Sequence, residues 1–212
     1  MREDPGRGYW ERNATRYDRS MVLLGGPMPR TLELVAEAVR GAGEVLEVAA
    51  GTGLVTEVIA RCTAHVTATD YAPAMVEQLR RRVEAGRLTN VSCRVADLYA
   101  LDLTPGSVDA VVAANVLHLV PDLDGALAAL ARVLRPGGLL VAPTYAHDET
   151  LGARVVSRVL GALAGFPGQR RFTRATLAAA LERAGFSVER LEVVPGLIPI
   201  VFAAGRKAAH ER

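Results

Sequence analysis

The chain has 212 residues, half of them hydrophobic, which is enough to bury one substantial core, so we expect a single domain. Its 25 basic and 23 acidic residues leave a formal net charge of +2, and this near balance indicates no nucleic-acid partner. The sequence contains no apolar run of about 20 residues, no cysteine pair with metal-ligand spacing and no leader-like start. We therefore expect a cytoplasmic protein without an integral membrane segment or a bound metal.

Apolar runs and helical patterns alternate through most of the chain. Two amino-terminal helices are predicted, at residues 9–20 and 30–40. Strands are predicted at residues 45–48, 66–69, 91–95, 108–114 and 139–143. Helices between these strands are predicted at residues 54–61, 74–85 and 123–134, the last ended by Pro136, Gly137 and Gly138. This alternation predicts an α/β fold, a Rossmann-like three-layer sandwich around a mostly parallel sheet.

The pattern changes after residue 144. Two helices are predicted at residues 151–163 and 174–184, with Thr173 as the N-cap and Gly185 after the last turn. Two apolar runs follow at 188–194 and 197–204, and the short connection between them allows only an antiparallel pair. The sheet is therefore expected to have seven strands with an antiparallel carboxyl-terminal strand. Pro199 predicts a bulge or a late start of that strand.

A small-residue turn follows the first strand and leads directly into a helix. Gly51 and Gly53 permit positive φ and close approach of a ligand to the backbone, and the amides of the next helix point toward that space. Such a turn is typical of a nucleotide-binding site. The dinucleotide fingerprint requires a third glycine, and Thr56 occupies that position, so a pyrophosphate cofactor is disfavoured.

Five motifs in this order resemble those of the class I S-adenosylmethionine-dependent methyltransferases of the small-molecule type. They are Glu-Val-Ala-Ala-Gly-Thr-Gly at 47–53, Thr-Asp-Tyr-Ala-Pro-Ala-Met at 69–75, Ala-Asp-Leu at 96–98, the segment 108–118 from Val108 to His118, and Leu-Arg-Pro-Gly-Gly at 134–138. The resemblance covers nearly the whole chain. It implies an enzyme that binds S-adenosylmethionine and methylates a small molecule.

The resemblance also implies a division of the single domain, residues 1–212, into four parts. These are an amino-terminal helical cap at 1–42, a cofactor-binding core at 43–144, a helical substrate cover at 145–185 and an antiparallel strand pair at 186–207.

The adenosine part of the cofactor is expected along the second and third strands. Asp70 ends a strand 19 residues after Gly51, where a carboxylate can accept hydrogen bonds from both ribose hydroxyls, although a helix cap is the alternative. By the resemblance, Asp97 approaches the adenine amino group beside the Leu98 backbone, unless it is only a turn acid. The adenine ring is expected to pack on Tyr71 or Met75.

Four further positions are expected near the methionine part of the cofactor or over it. The resemblance places Glu47 and Asn115 beside the methionine, and a purely structural role in the turn is the alternative for Glu47. Tyr9 and Tyr17 could close over the cofactor or simply pack as one face of an amphipathic helix. The family usually has glycine where Ala49 stands, and we expect the φ of Ala49 to be negative, because a methyl group is tolerated only there.

The residues that assist the chemistry depend on the acceptor. Methyl transfer is an in-line displacement, and a general base is needed only where the acceptor must lose a proton. Base candidates are His118, after the fourth strand, and Tyr145, His147 and Asp148, after the fifth. Each histidine has an alternative role in capping or packing. The apolar segment 151–167 suggests an apolar cover over a small apolar acceptor, methylated at oxygen, sulfur or nitrogen, and the alternative is a helix that only packs on the sheet.

Several alternatives remain at this point. Arg170 and Arg171 could meet an acidic group of the acceptor or lie in a solvated loop. Asn115 is followed by Val-Leu-His instead of the proline-rich aromatic run of base-methylating enzymes, which disfavours a nucleic-acid substrate. Two other classes of protein are also alternatives. One is an NAD-dependent oxidoreductase, and the other is a protein that binds S-adenosylmethionine without catalysing a reaction. The protein is expected to be a monomer or a homodimer.

Overall fold

The computed structural model describes residue 8 and residues 26–164 and 169–209. Its helices are α1 (Met28–Val39), α2 (Leu54–Ala60), α3 (Pro73–Ala85), α4 (Leu123–Val133), α5 (Leu151–Ala164) and α6 (Arg174–Arg183). Its strands are β1 (Glu44–Val48), β2 (His65–Asp70), β3 (Val91–Val95), β4 (Val108–Val112), β5 (Leu134–Val141), β6 (Thr144–Tyr145), β7 (Phe186–Val194) and β8 (Ile200–Lys207). The predicted helix at 9–20, with Tyr9 and Tyr17, lies outside the described residues.

All the described strands belong to one sheet with the order β3-β2-β1-β4-β5-β8-β6, and β7, which lies off this path, also pairs with β8. The pairs β1–β2, β1–β4, β2–β3 and β4–β5 are parallel. The three pairs made by β8 are antiparallel. The carboxyl ends of β1 to β5 therefore meet at one edge of the sheet, which is where ligands bind in open α/β sheets.

Helices cover both faces of the sheet, as the alternating pattern predicts. On one face α1, α2 and α3 bury Leu34, Ile59 and Leu79 against the strands. On the other face α4 and α6 bury leucines such as Leu127 and Leu177. Neighbouring strand residues point to opposite faces, so the central strands β1, β4 and β5 contribute to both cores. The outer strands β2 and β3 contribute to the core with α1, α2 and α3. The α/β three-layer sandwich is confirmed.

The carboxyl-terminal elements form as the sequence predicts. The Thr173 side chain accepts a hydrogen bond from the Thr176 amide, which makes Thr173 the N-cap of α6. Gly185 has a φ of +84° just after that helix. Strand β8 begins at Ile200, so the late start expected from Pro199 is confirmed. The antiparallel pair of β7 and β8 is also present.

Two details of the sheet differ from the prediction. Among the described residues the sheet has eight strands instead of seven, because Thr144–Tyr145 forms a separate short strand against β8. The turn expected at Pro136, Gly137 and Gly138 lies inside β5, which begins at Leu134 directly after α4. The register with β4 shifts there, and Gly137 has a φ of +71°, so these residues form a bulge.

Candidate active site

The turn between β1 and α2 has an unusual backbone that opens it on one side. Gly51 and Gly53 have φ values of +56° and +87°. A Cβ atom built on Gly51 would meet nothing within 4 Å, whereas one on Gly53 would lie 2.6 Å from the Leu79 side chain. Gly53 therefore lets α3 pack closely on the turn, and Gly51 leaves open space beside its backbone.

The conformation of Ala49 contradicts the sequence expectation. Its φ is +52°, in the left-handed region, instead of negative. The turn requires this conformation even though the residue is not glycine, and the methyl group packs against the core formed with α4. Left-handed backbone costs about 1–2 kcal/mol for a residue with a Cβ atom. The turn therefore holds strain that the packing of Ala49 against this core offsets.

Asp70 joins the turn to the next strand and helix. Its Oδ2 accepts a hydrogen bond from the Gly51 amide at 2.9 Å, and its Oδ1 accepts one from the Ala72 amide, also at 2.9 Å. Burial raises the pKa of this carboxyl, and the backbone hydrogen bonds act in the opposite direction. The contact with Ala72 corresponds to the capping alternative, and the contact with Gly51 places the carboxylate at the open turn.

Glu47 lies buried under the same turn. The Thr56 hydroxyl donates a hydrogen bond to its Oε2 at 2.5 Å. Burial raises the pKa of Glu47 to about 8, more than the Thr56 hydrogen bond lowers it, so the carboxyl is mostly protonated at pH 7. The contact with Thr56 supports the structural alternative for Glu47. It also gives a reason for threonine at the position of the third glycine.

The side chains expected around adenine line the ends of β2 and β3. Tyr71 is half-buried and packs with the buried Met75. Asp97 is exposed and accepts a hydrogen bond from the Tyr99 amide at 3.0 Å, as a turn acid does. Leu98 packs partly against the core. These residues share one edge because Asp70 pairs with Val95 in the parallel ladder.

Asn115 follows β4 at the same edge and has a left-handed backbone, with a φ of +53°. Its amide Nδ2 donates to the Met28 sulfur at 3.5 Å, and its backbone amide donates to the Pro143 carbonyl at 2.7 Å. Its Oδ1 is buried and has no hydrogen-bond partner among the described residues. A buried orphan acceptor of this kind marks a place where a ligand donor fits.

The predicted base candidates come together in one group. The ring centroid of His118 lies 5.9 Å from that of Tyr145 and 5.3 Å from that of His147, and the last two are 6.1 Å apart. Burial and the neighbouring His147 lower the pKa of His118 to about 3. Burial, and then the nearby Arg171, lower the pKa of His147 as well. Both rings are therefore neutral at pH 7.

Arg171 fixes the loop that carries His147. Its Nε donates to Asp148 Oδ1 at 2.8 Å, and its Nη2 donates to Ser157 Oγ at 2.6 Å and to the backbone carbonyls of His147 and Arg154. One guanidinium thus ties the loop after β6 to helix α5. Arg171 is exposed in a loop, as the solvated-loop expectation has it, and its guanidinium also has this structural role.

Arg170 is also held within the protein. Its guanidinium donates to the backbone carbonyls of Val120 and Pro121, and its amide donates to the His118 carbonyl at 3.0 Å. Arg170 therefore stabilises the loop after β4.

Three contacts of the site were not expected from the sequence. The hydrogen bond from Thr56 to Glu47 could have been predicted, because a hydroxyl in the first turn of α2 faces the end of β1. The hydrogen bond from Asn115 to Met28 joins residues 87 positions apart, and the one from Arg171 to Asp148 joins residues 23 positions apart. No local sequence pattern predicts either contact.

The described part of the chain contains no cluster of three or more His, Cys, Asp or Glu side chains that could hold a metal ion. Across the same residues, no helix is long and apolar enough to cross a membrane.

The sequence of this chain is similar to those of known methyltransferases. Residues 46–142 match the family model described as a methyltransferase domain. A demethylmenaquinone methyltransferase of Tropheryma whipplei (strain Twist) is 35% identical over 146 residues, which cover 68% of this chain and 60% of that protein. A ubiquinone biosynthesis O-methyltransferase of Xanthomonas euvesicatoria pv. vesicatoria (strain 85-10) is 36% identical over 171 residues, covering 76% of this chain and 70% of that protein.

The fold is shared with a solved structure of the same class. N-methyltransferase NodS from Bradyrhizobium japonicum WM9, in complex with S-adenosyl-l-homocysteine, superposes with a TM-score of 0.76 at 20% identity, and the match covers 96% of this chain and 99% of that one. The chain belongs to the class I S-adenosylmethionine-dependent methyltransferases. It spans 60% of the length of the menaquinone relative and 70% of the ubiquinone relative.

Proposed function

We propose that this chain transfers the methyl group of S-adenosylmethionine to an oxygen, sulfur or nitrogen atom of a small, apolar molecule. The observation that carries the proposal is the arrangement of two groups at the carboxyl edge of the sheet. The Asp70 carboxylate lies at the open Gly51 turn, and the neutral group of His118, Tyr145 and His147 lies at the ends of β4 to β6. The first group is suited to a nucleoside and the second to an uncharged acceptor.

The residues around the turn fit the cofactor. The open space at Gly51 admits a ligand to the backbone, and Asp70 would accept the ribose hydroxyls. The orphan Oδ1 of Asn115 would accept a hydrogen bond from the methionine ammonium. Asp97, with Leu98, would hold the adenine amino group, and the ring would pack on Tyr71 and Met75. Glu47, Ala49 and Gly53 would shape the turn, and Tyr9 and Tyr17 would cover it.

The bound cofactor supplies a methyl group on a positive sulfur, which an acceptor attacks in line. The contribution of the chain is to hold the acceptor in that line, and alignment of two reactants lowers a barrier by roughly 7–11 kcal/mol. Buried, neutral side chains suit this role, because the positive charge disperses in the transition state and needs no strong acid. His118 and His147, both neutral, place no competing cation beside the reaction.

The low pKa of His118 favours particular acceptors within this class. A base whose pKa is about 3, as for His118, removes a proton efficiently only from an acceptor that ionises readily. We therefore favour an acidic hydroxyl, such as a phenol or an enol, or a thiol. Tyr145 and His147 would orient that group. One relative is named a demethylmenaquinone methyltransferase and the other a ubiquinone biosynthesis O-methyltransferase, and these quinone names support an apolar ring as the part of the acceptor that carries the reacting group.

The remaining expectations are part of this proposal. They are the four-part division of the domain, with residues 145–185 as the substrate cover, a cytoplasmic location, a monomer or homodimer, and no nucleic-acid partner.

Thermal unfolding with S-adenosylmethionine, S-adenosylhomocysteine and NAD, compared side by side, tests the cofactor. A ligand at 100 times its Kd adds about 2.7 kcal/mol of stability. We expect stabilisation by the first two ligands and none by NAD. Stabilisation by NAD alone would contradict the proposal. Formation of S-adenosylhomocysteine with a panel of phenols and thiols then separates an enzyme from a protein that only binds the cofactor, an alternative that the relatives do not favour.

A further inference from the structure

Helix α5 presents an apolar face to solvent. Leu151, Val155 and Val159 have relative exposures of 76%, 63% and 53%. At 3.6 residues per turn, Val155 and Val159 are rotated by about 40° and 80° from Leu151, so the three side chains form one stripe, here called the α5 stripe. The opposite side of the helix is buried through Ala153 and Ser157. The helix therefore packs on the protein by one face and leaves a second apolar face uncovered.

Arginines flank the α5 stripe on one side. Arg158 and Arg154 lie about 20° and 60° from Leu151, on the side away from Val155. Arg158 is exposed, Arg154 lies 3.6 Å from Asp148, and the helix contains no acidic residue. An apolar stripe beside arginines is typical of a helix that lies in the plane of a membrane surface, with aliphatic residues among the lipid chains and guanidinium groups at the phosphates. The small net charge of the whole chain gives no indication of these arginines beside the α5 stripe.

The α5 stripe borders the candidate active site. The loop that leads into α5 carries His147 and Asp148, and Arg171 ties that loop to the helix through Ser157. The connection between β7 and β8 reaches the same edge of the sheet, because Ile200 pairs with Tyr145. Leu197 in that connection is 61% exposed. Uncovered apolar side chains therefore gather at the edge where the acceptor would enter.

We propose that the α5 stripe docks on the surface of an anionic lipid bilayer, so that the site takes its acceptor from the membrane. The second clause rests on the proposed function, since it requires an apolar acceptor that partitions into lipid. Charge favours lipid over a second copy of the chain. If two α5 stripes packed antiparallel about a two-fold axis, the Arg154 and Arg158 flanks would face one another, and like charges would oppose the contact.

Vesicle sedimentation with purified protein tests the docking. We expect the wild type to bind vesicles of 70% phosphatidylcholine and 30% phosphatidylglycerol and to bind pure phosphatidylcholine less. The double variant Leu151→Ser/Val155→Ser removes the centre of the stripe and should lower the partition coefficient at least about tenfold. Arg158→Gln should lower it about fivefold on the anionic vesicles only.

The exposed Val95, on the far edge strand β3, provides a matched control. It is 49% exposed, so Val95→Ser removes one exposed valine, as Val155→Ser alone does at 63% exposure, and unlike Val155→Ser it should leave vesicle binding unchanged. Calorimetry with S-adenosylhomocysteine should give the same affinity for the double variant and the wild type, which separates docking from cofactor binding. Equal vesicle binding by the double variant and the wild type would overturn the proposal. So would a dimer in sedimentation equilibrium that the double variant abolishes, because it would identify a second copy as the occupant.

Discussion

The two edges of the sheet each carry an aspartate that binds backbone amides of a neighbouring segment, but the two are neutralised differently. At the amino edge, Asp109 accepts hydrogen bonds from the amides of Gly43 and Glu44 and also forms an ion pair with Arg135. At the carboxyl edge, Asp70 accepts hydrogen bonds from Gly51 and Ala72, and no cation of the described residues contributes to its pKa, which burial raises.

This difference separates a structural acid from one that is poised for a ligand. The charge of Asp109 is balanced within the protein, so further partners add little. The buried charge of Asp70 is balanced only by amides, and hydroxyl donors from a ligand would stabilise it further. The glycines follow the same division. Gly41 and Gly51 both have positive φ and open space around a Cβ position, but only Gly51 lies where parallel strands end.

The largest effect is expected at the histidines. His118→Gln removes the imidazole at the carboxyl edge, and we expect turnover of hydroxyl acceptors to fall at least about 100-fold, the low end of the usual contribution of general acid–base catalysis, because a base with a pKa of about 3 is weak. Affinity for S-adenosylhomocysteine should stay the same. The control is His65→Gln, since His65 lies at the amino edge, between Glu44 and Ser92. Equal turnover by both variants would remove His118 from the mechanism.

The two glycines provide a second test of the comparison. Gly51→Ala places a methyl group in the open space of the turn and should weaken S-adenosylhomocysteine binding on the order of 100-fold, as a small misplacement in a site does. Gly41→Ala introduces a similar left-handed strain of about 1–2 kcal/mol at the amino edge. It should lower the melting temperature without changing affinity. If both variants lost affinity equally, the loss would come from general destabilisation instead of from the site.

Glu47 should make stability depend on pH. Its pKa of about 8 lies above the value of an unfolded glutamate, so the folded state binds more protons between roughly pH 4.5 and pH 8. Stability contributed by this group should therefore fall as pH rises through that window, by a few kcal/mol. Urea unfolding of the wild type and of Glu47→Gln at pH 5, 7 and 8.5 measures the difference. We expect the variant to lack this decline, and parallel pH curves would contradict the assignment.

The smallest effect is expected at Ala49. Ala49→Gly removes the Cβ atom from a left-handed residue, and the relief of about 1–2 kcal/mol is partly offset by the entropy that glycine loses on folding. The net gain in the free energy of unfolding should be about 0.5–1 kcal/mol. The neighbouring Ala50→Gly serves as a control, because the φ of Ala50 is not positive. That variant should be destabilised. A loss of stability in both variants would mean that Ala49 holds no strain.

Local chemistry determines most of the fold, and for this reason the sequence predicts it well. The signals that predict the elements each involve only a few neighbouring residues. They are the spacing of apolar residues, the N-cap Thr173, Gly185 after the helix and the strand start after Pro199, and the structure confirms each of them. The Gly51 turn and the strand-end position of Asp70 are equally local. The parallel order of the strands then brings Asp70, Asn115 and His118 to one edge without further information.

The remaining features depend on contacts that are distant along the chain. The φ of Ala49 could not be predicted, because an alanine in this conformation is held by packing from α4 and not by its own preference. The distances within the group of His118, Tyr145 and His147 depend on how the loops after β4 and β6 meet. The contact of Arg171 with Ser157 could not be predicted either, because nothing near Arg171 in sequence identifies Ser157 as its partner.

Calorimetry with S-adenosylhomocysteine on Asp70→Asn and Asp109→Asn tests the central claim most directly. Each substitution removes one charged acceptor of nearly unchanged shape from one edge of the sheet. Hydrogen bonds to a charged group contribute about 1.5–3 kcal/mol each. We therefore expect Asp70→Asn to lose at least about 100-fold in affinity, and Asp109→Asn to lose stability but keep its affinity. Unchanged affinity in Asp70→Asn, with the fold intact by circular dichroism, would contradict the assignment of the carboxyl edge as the cofactor site.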